Sequence, residues 1–177
     1  MKILFVGDCR NEKSLLMGRI AKKLAGDGSL CYLAIVKSRE QADFLHIAQH
    51  PNSLDGWSYE AIESRKQLHD CFQQLTPEST VLVDSVTAFF TNEMFSEPIA
   101  DRNAAWRTAE ELRCLGGRCA NVIYLSDNIF CDAGRYEGGA KEYRKGLAQV
   151  NRVLAEQCDT VVEVYYGFPN VLKGCLP

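Results

Sequence analysis

The sequence has no apolar run approaching the roughly 18 consecutive residues of a membrane-spanning helix, and Met1 leads straight into a strand-like pattern instead of a secretory leader. A cytoplasmic protein with no membrane span is therefore expected. It also lacks an excess of one charge. Twenty basic and 23 acidic side chains leave a net charge of -3, so there is no bulk attraction for nucleic acid or an anionic surface, and any anion site must be local. None of the eight cysteines falls in a C-x-x-C pair. A disulfide framework and a structural zinc site are both disfavoured, and most thiols are expected to be buried as small hydrophobes. Histidine is scarce, with His46, His50 and His69 alone, and there is neither an internal repeat nor a low-complexity tract.

What is present is enough for a full core. With 177 residues, 46% of them hydrophobic and 24% charged, residues 1–177 read as a single α/β domain. Lys2 to Val6 is a short apolar run, and Ser14 to Ala25 spaces Leu15, Leu16, Ile20, Ala21 and Leu24 as a helix does. A second strand is expected over Ser29 to Val36, a helix over Arg39 to about Ala48, and a surface loop over His50 to Gly56. Arg65 to Leu75 has helical spacing, and Thr80 to Asp84 (TVLVD) reads as a buried strand ending in a carboxylate, with a helix just past it. Asn103 to Leu115 follows as helix, with Trp106, Ala109, Leu112 and Leu115 assigned to one core face and Gly116-Gly117 as its stop. A strand at Ala120 to Ser126, a helix from about Gly139 to Gln157 and a last strand at Thr160 to Tyr165 complete the order. Short apolar runs separated by helices predict a mostly parallel sheet with helices on both faces, whose ligands sit beyond the carboxyl ends of the strands.

Three segments converge there: Gly7 to Ser14, the end of TVLVD and the loop after Ser126. The loop G-x-x-x-x-G-K-[ST] binds phosphate because backbone N–H groups point inward, the lysine reaches the outer phosphates and the hydroxyl holds Mg²⁺. Gly7, Lys13 and Ser14 fit that pattern in Gly7-Asp8-Cys9-Arg10-Asn11-Glu12-Lys13-Ser14, whereas Glu12 stands where the second glycine belongs. The same stretch also reads as a plain strand-to-helix turn. Asp84 supplies the second expected part, a strand-end carboxylate able to hold Mg²⁺. His46 and His50, four apart, have the spacing of two metal ligands, but no nearby Cys or third His completes a set. His69 reads as structural or solvated. Gly134 to Gly139 (GRYEGG) lacks the lysine-hydroxyl pair and reads as a lid or subunit contact, and Tyr165, Tyr166 and Phe168 as an oligomer contact or the end of the core.

In these segments the sequence resembles the bifunctional adenosylcobinamide kinase and adenosylcobinamide-phosphate guanylyltransferase family of cobalamin biosynthesis. The family loop is G-G-x-R-S-G-K-S, and Gly7, Arg10, Lys13 and Ser14 keep its glycine, arginine, lysine and serine in register. Asp84-Ser85-Val86-Thr87 with Thr91-Asn92 is similar to the family's D/E-C-x-T and T-N. Leu125-Ser126-Asp127-Asn128 lies at its S/T-N-E strand end, and Tyr143-Arg144-Lys145-Gly146 through Val150-Asn151 to Leu154-Ala155 resembles its F-R-D-x-x-G-x-x-N-Q-x-L-A helix. The likeness covers nearly the whole chain.

The resemblance implies a P-loop NTPase-like fold, usually a homotrimer, that phosphorylates adenosylcobinamide and then transfers GMP from GTP through a guanylylated histidine. It assigns nucleotide binding to Gly7, Asp8, Cys9, Arg10, Asn11, Glu12, Lys13, Ser14, Glu60 and Asp84, with GTP or ATP as substrate and Mg²⁺ on Ser14 and Asp84. Lys13 and His50 become the catalytic residues, with His46 as the alternative acceptor. His50 is favoured because Gln49-His50 precedes Trp57, as the family histidine precedes R-P-x-x-W, although Arg-Pro is missing here. The family's W-x-T-x-E is replaced by Trp57-Ser58-Tyr59-Glu60, so departures gather at the chemistry. An active enzyme with one or both activities retained, and a non-catalytic nucleotide- or corrinoid-binding paralogue on the same fold, both follow from this pattern.

Overall fold

The computed structural model describes residues 1–7, 13–35, 57–62, 65–131 and 134–177. Their strands form one seven-stranded sheet in the order β3-β2-β4-β5-β1-β6-β7. The strands are β1 Lys2–Gly7, β2 Leu30–Ile35, β3 Trp57–Ile62, β4 Thr80–Asp84, β5 Asn121–Asp127, β6 Thr160–Tyr165 and β7 Phe168–Lys173. Six run parallel, and β7 folds back antiparallel on β6. Among the described residues the helices are α1 Lys13–Ala25, α2 Arg65–Cys71, α3 Val86–Met94, α4 Ala104–Arg118 and α5 Gly138–Gln157.

Strands β1, β2, β4 and β5 are apolar almost throughout because both faces of a parallel sheet are covered. Alternate residues divide between two cores. Ile3, Phe5, Tyr32, Ala34, Leu82, Ile123 and Leu125 pack with Met17, Ile20 and Ala21 of α1 on one face. Leu4, Leu33, Val81, Val83, Val122 and Tyr124 meet residues of α2, α3, α4 and α5 on the other. Among the described residues, α1 covers one face and α2 to α5 the other, as a sheet with helices on both faces requires, and the helix expected over Arg39 to about Ala48 lies outside the described residues.

The five strands read from apolar runs form within a residue or two of their expected bounds, but two strands were not expected. In β3 the sequence alternates WSYEAI beside a turn-rich stretch, and β7 is exposed at every position, so its sequence carries no burial pattern. Tyr165, Tyr166 and Phe168 lie at this β6–β7 hairpin and are exposed, not the end of the core.

Two expectations for α4 are corrected. Trp106 is 63% exposed. Residues spaced strictly by three drift about 60° around a helix per step, so the series Trp106, Ala109, Leu112, Leu115 starts on the solvent side, and Ala105 and Thr108 occupy the buried stripe instead. Gly116-Gly117 does not stop the helix, which continues to Arg118. A Cβ on Gly116 would stand 2.6 Å from the Tyr124 hydroxyl, so this glycine lets α4 approach β5.

Candidate functional site

The carboxyl ends of β1, β5 and β4 lie side by side, and Gly7 pairs in register with Asp127 while Leu125 pairs with Asp84. Strand β5 therefore separates the strand that enters the phosphate-type loop from the strand that ends in Asp84. With two strand spacings between them and a two-residue offset along β5, Gly7 and Asp84 stand about 12 Å apart, with Asp127 on the strand between them. The chain re-emerges from the loop at Lys13, where α1 begins with Lys13 and Ser14 in its first turn and no acidic residue there. A helix N-terminus presents unpaired N–H groups and a positive dipole end, which suits phosphate.

Side-chain parity decides which face each acid serves. Leu82 packs toward α1, so Asp84, two residues on, points to the same face; Leu125 and Asp127 are related in the same way. Both carboxylates therefore belong to the α1 side of the strand ends. Tyr32 on β2 packs on that face too, and its hydroxyl donates to Asp84 Oδ2 at 2.5 Å. That bond fixes one oxygen of the carboxylate. Its donor was not foreseen, since a tyrosine in the middle of an apolar strand reads as core until the register places it beside Asp84.

On the opposite face a polar chain ties the elements together. Ser126, wholly buried, donates through Oγ to Asn151 Oδ1 of α5 at 2.7 Å. Asp127 N donates to Thr87 Oγ1 of α3 at 2.8 Å, and Asn128 N donates to Gly7 O at 2.9 Å. Ser85 caps α3 by accepting from Ala88 N at 3.1 Å. The segments of Asp84 to Thr87, Ser126 to Asn128 and Asn151, distant in sequence, thus meet around the end of β5. Thr87 and Ser126 gained no site role from sequence; a buried serine at the end of an apolar strand was the available signal.

Of the expected site residues, the structure places Gly7, Lys13, Ser14 and Asp84 at one end of the sheet. Glu60 sits in β3 opposite Leu33, two strands beyond Asp84 and on the far side from Gly7. Asp8, Cys9, Arg10, Asn11, Glu12, His46 and His50 lie outside the described residues. His69 is half exposed and meets the buried Glu111 at 2.9 Å, away from the strand ends. Burial raises the Cys119 thiol to about 11 and Cys158 to about 12, so these remain neutral core groups. No group of three or more His, Cys, Asp or Glu forms a metal cluster among the described residues. Asp84 and Asp127, with the Ser14 position, are hard oxygen donors of the kind Mg²⁺ takes in small numbers, keeping water and phosphate oxygens for the remainder.

Residues 3–172 match the cobinamide kinase / cobinamide phosphate guanyltransferase family. The chain belongs to this family. The motif segments converging on β5 are those through which the sequence resembles it. No curated protein sequence matches the chain. Among solved structures, an ATP synthase subunit from Nanoarcheaum equitans superposes with a TM-score of 0.58 at 13% identity, over 93% of this chain and 45% of that one. A flagellar accessory protein from Methanocaldococcus jannaschii gives 0.52 at 13% identity, over 98% and 78%. At such identities the likeness concerns the fold alone, a P-loop NTPase-like sheet. The chain spans less than half the length of the first of these structures. No described helix of this family member is long and apolar enough to cross a membrane.

Proposed function

We propose that residues 1–177 act as one nucleotide-binding domain that phosphorylates adenosylcobinamide with GTP or ATP and transfers GMP from GTP to adenosylcobinamide phosphate. The observation that carries the proposal is the placement of Asp84 and Asp127 on the α1 side of the strand ends, beside the point where β1 enters the loop and α1 leaves it. Phosphoryl transfer asks the protein mainly for positioning and charge stabilisation, and this end of the sheet supplies both.

Backbone N–H groups of residues 7–14, with Arg10 and Lys13, bind the polyphosphate. Lys13 neutralises charge that builds up on the transferring group. Ser14 and Asp84 would hold Mg²⁺, which draws charge from the phosphate oxygens when bound. Tyr32 holds the Asp84 carboxylate in one orientation, and Glu60, two strands away on β3, keeps its nucleotide-binding assignment from the family resemblance alone. In the first reaction the acceptor hydroxyl oxygen bonds to the γ-phosphorus, the bond from phosphorus to the β–γ bridging oxygen breaks, and the hydroxyl proton is released. In the second, a neutral imidazole nitrogen of His50, or of His46, bonds to the α-phosphorus as pyrophosphate leaves; the acceptor phosphate then displaces the histidine. The working form is a homo-oligomer, a trimer by family resemblance, handling nucleotide and corrinoid small molecules in the cytoplasm.

One feature favours a second reading. Glu12 adds a carboxylate beside the phosphates, which opposes triphosphate binding unless it is paired or protonated. A non-catalytic nucleotide- or corrinoid-binding paralogue would tolerate it. Mg·GTP and Mg·ATP binding by the natural protein and by Glu12→Gly, together with labelling by α-phosphate-labelled GTP, separates the two. Labelling that His50→Ala abolishes supports transfer. Nucleotide binding without labelling or turnover supports the paralogue, and absence of binding by both forms removes the enzyme reading.

A further inference from the structure

The face of the sheet opposite α1 carries an open cleft beside the strand ends. Among the described residues it is walled by Asn128, Ile129 and Cys131 after β5, by Tyr136 just before α5 and by Ala140 and Arg144 in the first two turns of α5, and encloses about 570 Å³. Past Asn128 and Cys131 it continues into a second hollow of about 450 Å³ over Val6 and Val161, bordered by Ala148 and Arg152 of α5. Both lie within the usual size range of small-molecule sites. The walls are mainly apolar, and small residues on α5 at positions 140 and 148 keep the floor low.

Resting on the function proposed above, the geometry points to this cleft as the seat of the corrinoid acceptor. A corrinoid is a broad, largely apolar ring edged with amides, and in the second reaction it carries a phosphate on a short arm. Phosphate-loop binding places the nucleotide at the end of β1 on the α1 face. The cleft begins at Asn128, whose N–H is bonded to Gly7 O, on the other side of the same strand ends. An arm from the cleft therefore meets the donor phosphates by crossing a single strand end. The charged side chain of the first hollow is also placed for the task. The Arg144 guanidinium lies 4.4 Å from the Tyr136 ring centroid and 5.5 Å from that of Phe130, and it donates to Ile129 O. Stacking and this bond hold its planar fork in place, and a guanidinium fork matches a phosphate oxygen pair. A nucleobase in the same cleft is the competing occupant, and it has no need of a fixed cation.

The test measures binding of cobinamide, cobinamide phosphate and Mg·GTP separately, the corrinoids through their visible absorption. Ala140 and Ala148 are exposed helix positions, so Ala140→Trp and Ala148→Trp fill the cleft without disturbing the core, as thermal melting checks. Each is expected to weaken both corrinoids about tenfold or more while Mg·GTP binding changes less than about twofold. Arg144→Met is expected to weaken cobinamide phosphate about fivefold more than cobinamide. Corrinoid binding that survives both tryptophans overturns this inference alone. Loss of Mg·GTP binding in parallel assigns the cleft to the nucleotide and also overturns it, and equal loss of both corrinoids in Arg144→Met removes the phosphate role of Arg144. A natural protein that binds Mg·GTP but neither corrinoid overturns the proposed function together with the inference.

Discussion

Adjacent glycines in α4 are expected to respond to the same substitution with opposite signs. Replacing glycine by alanine inside a helix stabilises by about 0.8–1.0 kcal/mol, because alanine loses less backbone freedom on folding. At Gly117 a new Cβ meets nothing within 4 Å, so Gly117→Ala should keep most of that gain, less what the helix end forfeits. At Gly116 the new Cβ would stand 2.6 Å from the Tyr124 hydroxyl and 3.5 Å from Lys2 Cε. Tyr124 is 2% exposed and cannot swing into solvent, and its hydroxyl donates to Leu112 O at 2.7 Å. Overpacking of this kind costs about 1–3 kcal/mol, and displacing the tyrosine from its carbonyl leaves a buried polar group unmatched at about 1–3 kcal/mol more. Less the propensity gain, Gly116→Ala should lose about 1–5 kcal/mol. Urea unfolding followed by far-ultraviolet circular dichroism reads both. With a slope of about 2 kcal/mol/M, Gly117→Ala should raise the midpoint by up to about 0.5 M and Gly116→Ala should lower it by at least that much. Midpoints that move in the same direction would refute the close approach of α4 to β5, and with it the reason given for the helix running through two glycines.

Tyr32→Phe removes the hydroxyl that holds Asp84 and is expected to lower Mg²⁺-dependent turnover about tenfold or more, the usual scale for a hydrogen bond to a charged group. In an Asp84→Asn background the same change should add little, and additive losses in that double-mutant cycle would place Tyr32's role elsewhere. Thiol labelling of the native protein at neutral pH should modify the exposed Cys114, Cys131 and Cys175 quickly, and the buried Cys31, Cys71, Cys119 and Cys158 only on unfolding; fast modification of Cys158 would contradict its burial at the C-terminal end of α5. Burial raises the folded Cys119 and Cys158 thiols to about 11 and about 12, above their ordinary value of 9.0. The unfolded chain therefore ionises first as pH rises, and the stability these thiols contribute is intact below pH 9 and falls between 9 and about 12. Urea midpoints measured across that interval should decline, and a Cys158→Ala variant should decline less steeply.

Local pattern made much of this legible. Apolar runs such as ILFV and TVLVD identify strands because both faces of a parallel strand are buried, and the 3.6-residue spacing of Leu147, Val150 and Leu154 identifies α5. Where that pattern is absent the reading failed. Strand β7 is exposed on both faces and carries no alternation, and Trp106 was drawn onto the core face by a three-residue spacing that winds away from it. The loop from Asp8 to Glu12 and the histidines at 46 and 50 were legible as motif residues. Motifs name a chemistry, but they do not specify which side chains face one another across the fold.

The residues alone determined the order of five of the seven strands and of the described helices, the strand-loop-helix opening with Lys13 and Ser14, and the family, because each rests on neighbours along the chain. Tertiary structure decided which strands lie side by side. It placed β5 between β1 and β4, set Asp127 between Gly7 and Asp84, and brought Tyr32 of β2 to the Asp84 carboxylate. It also opened the cleft along α5 on the opposite face. Parallel strands pair through crossovers whose partners lie far apart in sequence, so their order is a property of the packed sheet that no local spacing encodes.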